Sequence, residues 1–272
     1  MVEERGVAVV ILRVLLLLLL ACSTGVAQHL GFDRNDYPGN GNLTQLHQTF
    51  AFTGYWLNNP PNAKSNSWAG KRSVVEKAGL GFLLLYTGKT YQLLKGSEAE
   101  SMGSADGLEA TALARKEGFP SGAIIFLDQE EGGRLLPEQL DYVLAWVDAV
   151  SSNGNRAGVY CSGIAATESS GDSVVTAKDI HDNAGTRKIV YFVVNDQCPP
   201  SVGCSLKAGS PQGSGIDFAD VWQFAQSPRR PDLTQSCAQT YAADGNCYPP
   251  GMKIHVDLEV ASSADPSHGR TN

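Results

Sequence analysis

The stretch AIIFLDQEEGG at residues 123–133 decides the fold, because an apolar run of strand type empties directly into acids. Period-two alternation puts Phe126, Asp128 and Glu130 on one face and Ile125, Leu127 and Gln129 on the other. Two acids on one face of an otherwise apolar strand repel, and they cost stability unless they are solvated or used. They mark a buried strand that ends at an open mouth, where Gly132 and Gly133 begin the departing loop.

Seven further runs share the β-branched and aromatic character of this strand: LGFD (30–33), FAFTGYW (50–56), GFLLLY (81–86), AGVYC (157–161), IVYFVV (189–194), DVWQF (220–224) and IHVDL (254–258). Between them, 137–153 reads as a helix with Pro137 in its first turn and Leu140, Val143, Leu144, Val147 and Val150 on one stripe. Residues 104–118 read as another, with Leu108, Ala112 and Arg115 spaced along a face and Gly118 at its end. Shorter helices are expected near 73–79 and 176–183. The helical signal is weakest over 194–220, where Gly, Pro and Ser dominate.

Eight strands alternating with helices or loops predict an α/β fold, a single (β/α)8 TIM-type barrel with short or irregular helices in the C-terminal half. A doubly wound open sheet would show the same alternation, and the acids separate the two. LGFD ends on Asp33, and IHVDL brings Asp257 near its end. In a closed barrel the first and eighth strands are neighbours, so Asp33, Asp257, Asp128 and Glu130 converge at the C-terminal mouth. An open sheet offers no such convergence.

Each acid alone also has a plainer use: Asp33 can cap the turn through RNDYPGN, and Glu131 reads as a loop residue. Asp36, Asp196 and Asp220 read as solvated surface. A cluster of carboxylates suits glycosidic bond cleavage, in which one acid protonates the leaving oxygen and another group stabilises the cationic sugar. A divalent cation is the other use that the sequence leaves open. Tyr55, Tyr86 and Trp222 near strand ends are candidate sugar-stacking residues, with Gln223 a candidate hydrogen-bonding partner, while Trp56 reads as core.

The formal charge of −7 gives no basic footprint of the kind that nucleic acid requires, and Arg229 and Arg230 in SPRRPD read as a solvated loop. There is no Gly-rich phosphate loop with lysine, no His-Glu-x-x-His and no Gly-x-Ser-x-Gly. The N-terminal apolar run, with small residues after it and Ala27 as cleavage point, reads as a signal peptide spanning 1–27. A signal anchor and a lipoprotein signal leaving a lipidated Cys22 are alternatives that would attach the protein to a membrane. Beyond Cys22, local spacing suggests the disulfides Cys198 with Cys204 and Cys237 with Cys247, in an oxidising compartment. Cys161 reads as a buried free thiol. The chain is expected to place its barrel over 28–262 and a flexible tail over 263–272.

GFD, IIFLDQE, GVYCSG, VWQF and VDLEVA occur in the order seen in family 25 glycoside hydrolases, the lysozyme-like barrels that cut peptidoglycan. GLEATALARKEGFPSGAIIFLDQE is similar to the corresponding stretch of the related glycoside-hydrolase-like domain of unknown function 1906, whose members are typically exported bacterial proteins. The resemblance implies that Glu130 is the catalytic acid, that Asp128 assists the cationic centre or the substrate's N-acetyl group, and that Asp33 and Asp257 complete the cluster. The last motif of the lysozyme-like family commonly continues to asparagine, whereas this chain has Glu259. The expected function is an exported, monomeric glycoside hydrolase of the cell envelope or extracellular space, acting on peptidoglycan or another N-acetylated glycan without cofactor or metal. The alternative is a non-catalytic glycan-binding protein on the same barrel.

Overall fold

Strand pairing closes into a ring. The computed structural model describes residues 28–271 other than Ser97 and Ala208, so the signal-peptide, anchor and Cys22 expectations lie outside the described residues. In chain order the strands are β1 (His29–Asp33), β2 (Phe52–Trp56), β3 (Gly81–Thr87), β4 (Ile124–Asp128), β5 (Arg156–Ser162), β6 (Ala165–Thr167), β7 (Ser173–Val175), β8 (Val190–Val194), β9 (Val221–Ala225) and β10 (Asp257–Ala261). Round the barrel they run β1-β10-β9-β8-β5-β4-β3-β2, and β6 with β7 forms a separate hairpin. The eight-stranded barrel expected from the sequence is present.

Its last strand departs from the expectation in both place and direction. β10 begins at Asp257, three residues later than the run suggested, and is antiparallel to both β1 and β9. The cause lies in the connection. A parallel return needs a crossover that carries the chain to the other end of the barrel. Between β9 and β10 there is only a short 3-10 turn, Gln235–Thr240, so the chain stays at the mouth and re-enters from there. Asp257 therefore stands at the start of its strand, not near its end, yet still opposite Asp33.

The helices are α1 (Asn40–His47), α2 (Arg72–Lys77), α3 (Tyr91–Leu94), α4 (Ala99–Glu117), α5 (Pro137–Ser152) and α6 (Thr176–Asn183). Pro137 opens α5, where its missing N–H has no intrahelical partner to lose. Gly118, at φ 84°, ends α4 in the left-handed conformation that glycine adopts without strain. α4 buries its small face, with Gly103, Gly107, Ala110 and Ala114 inward and Leu108 left exposed. A side chain at Gly103 would collide with the Tyr142 backbone, so glycine here sets the close approach of α4 to α5. Inside the barrel, Gly158 serves the same end, giving its space to the ring of Phe126.

The disulfides differ from those the spacing suggested: Cys198 is bonded to Cys237 and Cys204 to Cys247. Each cysteine of the first loop is tied to the next loop, not to its sequence neighbour. The Cys198 N–H donates to Leu233 O at 3.0 Å and the Cys204 N–H to Thr240 Oγ1 at 3.1 Å. Two bridges thus stitch the loops after β8 and β9 together. A non-reduced peptide digest should release these two linked pairs, and a 198–204 link would refute the pairing. With a separation of 43 residues, replacing Cys204 and Cys247 by serine should lower stability by about 4 kcal/mol on the loop-entropy relation, measured by denaturant unfolding.

The tail expected to be flexible is built into the floor of the barrel. Asp265 Oδ1 accepts the Phe82 N–H at 2.8 Å, Ser267 Oγ accepts the Leu84 N–H at 2.8 Å, and Ser267 O accepts the Ile124 N–H at 2.8 Å. Residues 265–268 thereby fill the gap between the lower ends of β3 and β4, whose own pairing begins only at Leu84 and Ile125.

Candidate active site

Alternation along the strands sends one residue from each into the mouth. Asp33, Trp56, Leu85 and Asp128 come from β1 to β4, and Tyr160, Phe192, Gln223 and Asp257 from the rest. Together with Asn35, Asn62, Glu130 and Gln226 they line a cavity of about 250 Å³. A second hollow of about 340 Å³, lined by Thr87, Lys89, Thr90 and Glu131 among others, shares Pro61, Asn62, Asp128 and Glu130 with the first. Glu130 thus stands between two lobes of one cleft.

The structure brings together the four carboxylates read from the sequence, and adds Glu259. Asp33 faces Asp257 directly across the β1–β10 ladder. Asp257 Oδ1 accepts the Ser227 N–H at 2.6 Å. Asp128 is buried, and its Oδ2 has no protein partner among the described residues. It shares a hydrogen bond with Glu130, which is open to solvent at the rim. Burial pushes Asp128 well above the ordinary carboxylate range, and the neighbouring Glu130 and Asp33 charges add to this. Glu130 is raised by the desolvating walls of the mouth and then by Asp33, while its bond to Asp128 and the Arg230 cation pull it down. Burial is also the main cause for Asp33, Asp257 and Glu259, all displaced upward.

Five carboxyls with raised values have a thermodynamic signature. The folded protein keeps protons that the unfolded chain releases above about pH 4. The stability they contribute is full below that range and is lost as pH rises through the folded-state values. Thermal unfolding should therefore show a higher Tm near about pH 5 than near about pH 8, and the opposite slope would contradict the cluster's protonation.

A chain of hydrogen bonds orients the β1 side of the cluster. The Tyr160 hydroxyl donates to Gln223 Oε1 at 2.8 Å, Gln226 Nε2 donates to the same oxygen at 3.1 Å, and Gln223 Nε2 donates to Asp33 Oδ2 at 2.9 Å. Gln223 is thus at the site where the sequence reading put it. The three aromatic candidates are not. Tyr55 faces outward among Trp68, Phe82 and Phe119 and donates its hydroxyl to Glu117 of α4 at 2.6 Å. Tyr86 likewise points to the helices and donates to Glu109 at 2.6 Å. Trp222 lies outside the barrel wall, its Nε1 donating to Asn195 O at 2.9 Å. The aromatic in the mouth on β2 is Trp56, whose Nε1 donates to Arg34 O at 3.3 Å.

Asp196 reads from the sequence as solvated surface, and the structure corrects this; Arg230 is exposed, as a solvated loop residue should be, but it is paired. Asp196 is fully enclosed, and Arg230 closes over it with Nε to Oδ2 at 3.0 Å and with a second bond from Nη2 to Oδ1. Glu131 anchors the loop after β4, accepting the Tyr91 N–H at 2.7 Å and Gln139 Nε2 at 2.6 Å. Cys161 is buried and free as expected, its thiol pushed up to about 12 by burial. Among the described residues, no three His, Cys, Asp or Glu side chains form a group able to hold a metal ion, and no helix is long and apolar enough to cross a membrane.

The sequence carried signals for some of the residues that were missed. Tyr160 lies two positions after Gly158 on a strand, and Glu259 two positions after Asp257, so period-two counting finds both once the strand limits are known. Asp196 and Arg230 are 34 residues apart with no local sign of their pairing.

The profile described as Rv2525c-like, glycoside hydrolase-like domain matches residues 49–200, more than half of the chain. The chain belongs to this family. No curated protein matches it. Among solved structures, an uncharacterised B. stearothermophilus protein is 17% identical, with 86% of this chain and 95% of that one covered at a TM-score of 0.55. The Tat-secreted protein Rv2525c of Mycobacterium tuberculosis is 15% identical over 90% of this chain and 98% of its own, with a TM-score of 0.51. The catalytic domain of an endolysin from a Listeria monocytogenes bacteriophage is 15% identical with the same coverages and a TM-score of 0.55. At such identities the likeness to these structures is one of fold.

Proposed function

We propose that this protein is an exported glycoside hydrolase that cleaves peptidoglycan or another N-acetylated glycan, with Glu130 as general acid. The observation that carries the reading is the position of Glu130, exposed between two lobes of a cleft and hydrogen-bonded to a buried carboxyl. A glycan laid through both lobes would present a glycosidic oxygen to it. The Asp128–Glu130 pair shares a proton, and Glu130 is the member that can deliver it to a leaving oxygen. Asp128, Asp33 and Asp257 face the opposite charge that then develops on the sugar. Trp56 and Phe192 supply apolar wall, and Gln223 and Gln226 supply amide groups for substrate hydroxyls.

The endolysin domain among the similar folds supports a lytic substrate, and the Tat-secreted relative together with two disulfides supports export. The test is release of reducing ends from purified peptidoglycan and from chitin oligomers, with binding to both followed in parallel. Binding without release would replace the hydrolase reading by a glycan-binding one.

A further inference from the structure

Glu259 is the carboxyl of the cluster that the cavity does not reach. It is fully buried, one layer below Asp33 and Asp257, opposite Gly31 of β1 and Gln223 of β9 in the strand register. Gly31 brings no side chain, and the space above it belongs to the Phe52 ring, so β1 offers no polar group at this level. Neither Glu259 oxygen receives a well-formed bond from an N–H donor among the described residues. Its side chain lies instead against Asp33 and Gln223.

The network around it decides which of the two neighbouring carboxyls carries charge. Two carboxyls in contact inside a closed barrel do not both ionise. Gln223 has its oxygen occupied by Tyr160 and Gln226, so its amide nitrogen is the end turned to Asp33. Asp33 therefore meets a donor, as a carboxylate requires, and Glu259 is left to hold the proton. The other titratable group acting on it is Asp257 on its own strand, while Tyr160, Asp128 and Glu130 line the cavity above.

Resting on the hydrolase reading above, we propose that Glu259 is a positioning residue that stays protonated and, through its O–H to Asp33, holds that side chain as an oriented carboxylate beneath the cleaved sugar. Glu259 touches no substrate itself. Its ionisation would remove a donor from Asp33 and add a like charge beside it, so this contact sets the alkaline limit of the site.

Two measurements test this. Infrared spectra of the full protein at neutral pH should contain a protonated-carboxyl component, beside that of the Asp128–Glu130 pair, that is missing from Glu259→Gln; a spectrum unchanged in this region by the substitution would overturn the proposal whether or not the protein cleaves glycan. In the reducing-end assay, Glu259→Met should lower kcat about tenfold with little change in KM. Glu259→Gln keeps an N–H donor for Asp33, so it should restore most of that loss and carry activity about one pH unit or more further into the alkaline range. Equal losses in Gln and Met, or an unmoved alkaline limb, would reduce Glu259 to a packing residue. A wild type that cleaves nothing refutes the hydrolase reading, while the infrared comparison still decides the protonation of Glu259.

Discussion

Glu130→Gln removes cleavage and leaves glycan binding nearly intact. Glutamine keeps the size of the side chain and its place between the two lobes, so the walls that hold the glycan are unchanged. It has no proton to give to a leaving oxygen. Removing a positioned general acid costs about 10²- to 10⁴-fold in turnover, and the loss should fall on kcat, with KM moving little. Asp128 does not replace it, because that carboxyl is buried beneath the rim. Reducing-end release and binding isotherms on the same peptidoglycan preparation measure both quantities. A variant that retains turnover would show that another group is the acid, and a variant that loses binding in proportion would show that Glu130 holds substrate instead.

Among substitutions that leave the disulfides intact, the largest expected loss of stability follows Arg230→Ala. Asp196 is enclosed and takes two bonds from one guanidinium, so truncating the arginine leaves a carboxylate buried without its partner. Breaking such a pair from one side costs about 3 kcal/mol here, the low end of the usual range because the guanidinium is itself half exposed. For a domain of this size that is a fall of about 10 °C in Tm. The double replacement Arg230→Gln with Asp196→Asn removes the stranded charge and should recover part of the loss. Thermal unfolding of the three variants measures it, and additive losses in the double variant would refute the coupling.

The contrast between these two residues shows what a single sequence reveals. Asp128 and Glu130 announce themselves because both lie on one short apolar strand, where alternation assigns their face. The barrel was readable for the same reason: eight apolar runs at regular spacing have few other ways to be buried. Tyr55 and Tyr86 were misplaced because strands buried on both sides are apolar on both sides, so alternation says which residues share a face without saying which face looks inward. The direction of β10 depends on a connection that contains too little helix to cross the barrel. The Asp196–Arg230 pair and the disulfides join loops that only the closed barrel brings side by side.

Residues 265–268 carry one more consequence, for the order in which the molecule can be completed. The lower halves of β3 and β4 are bridged by a segment that leaves the ribosome about 180 residues after Gly81, so that seam stays open while everything between is made. The contact is among the most non-local in the chain and closes late by loop entropy alone. In the native protein the amides of Leu84 and Ile124 should exchange with solvent as one unit with those of the C-terminal segment. Residues 265–268 are a latch on the barrel, and their release would open the seam between the lower ends of β3 and β4.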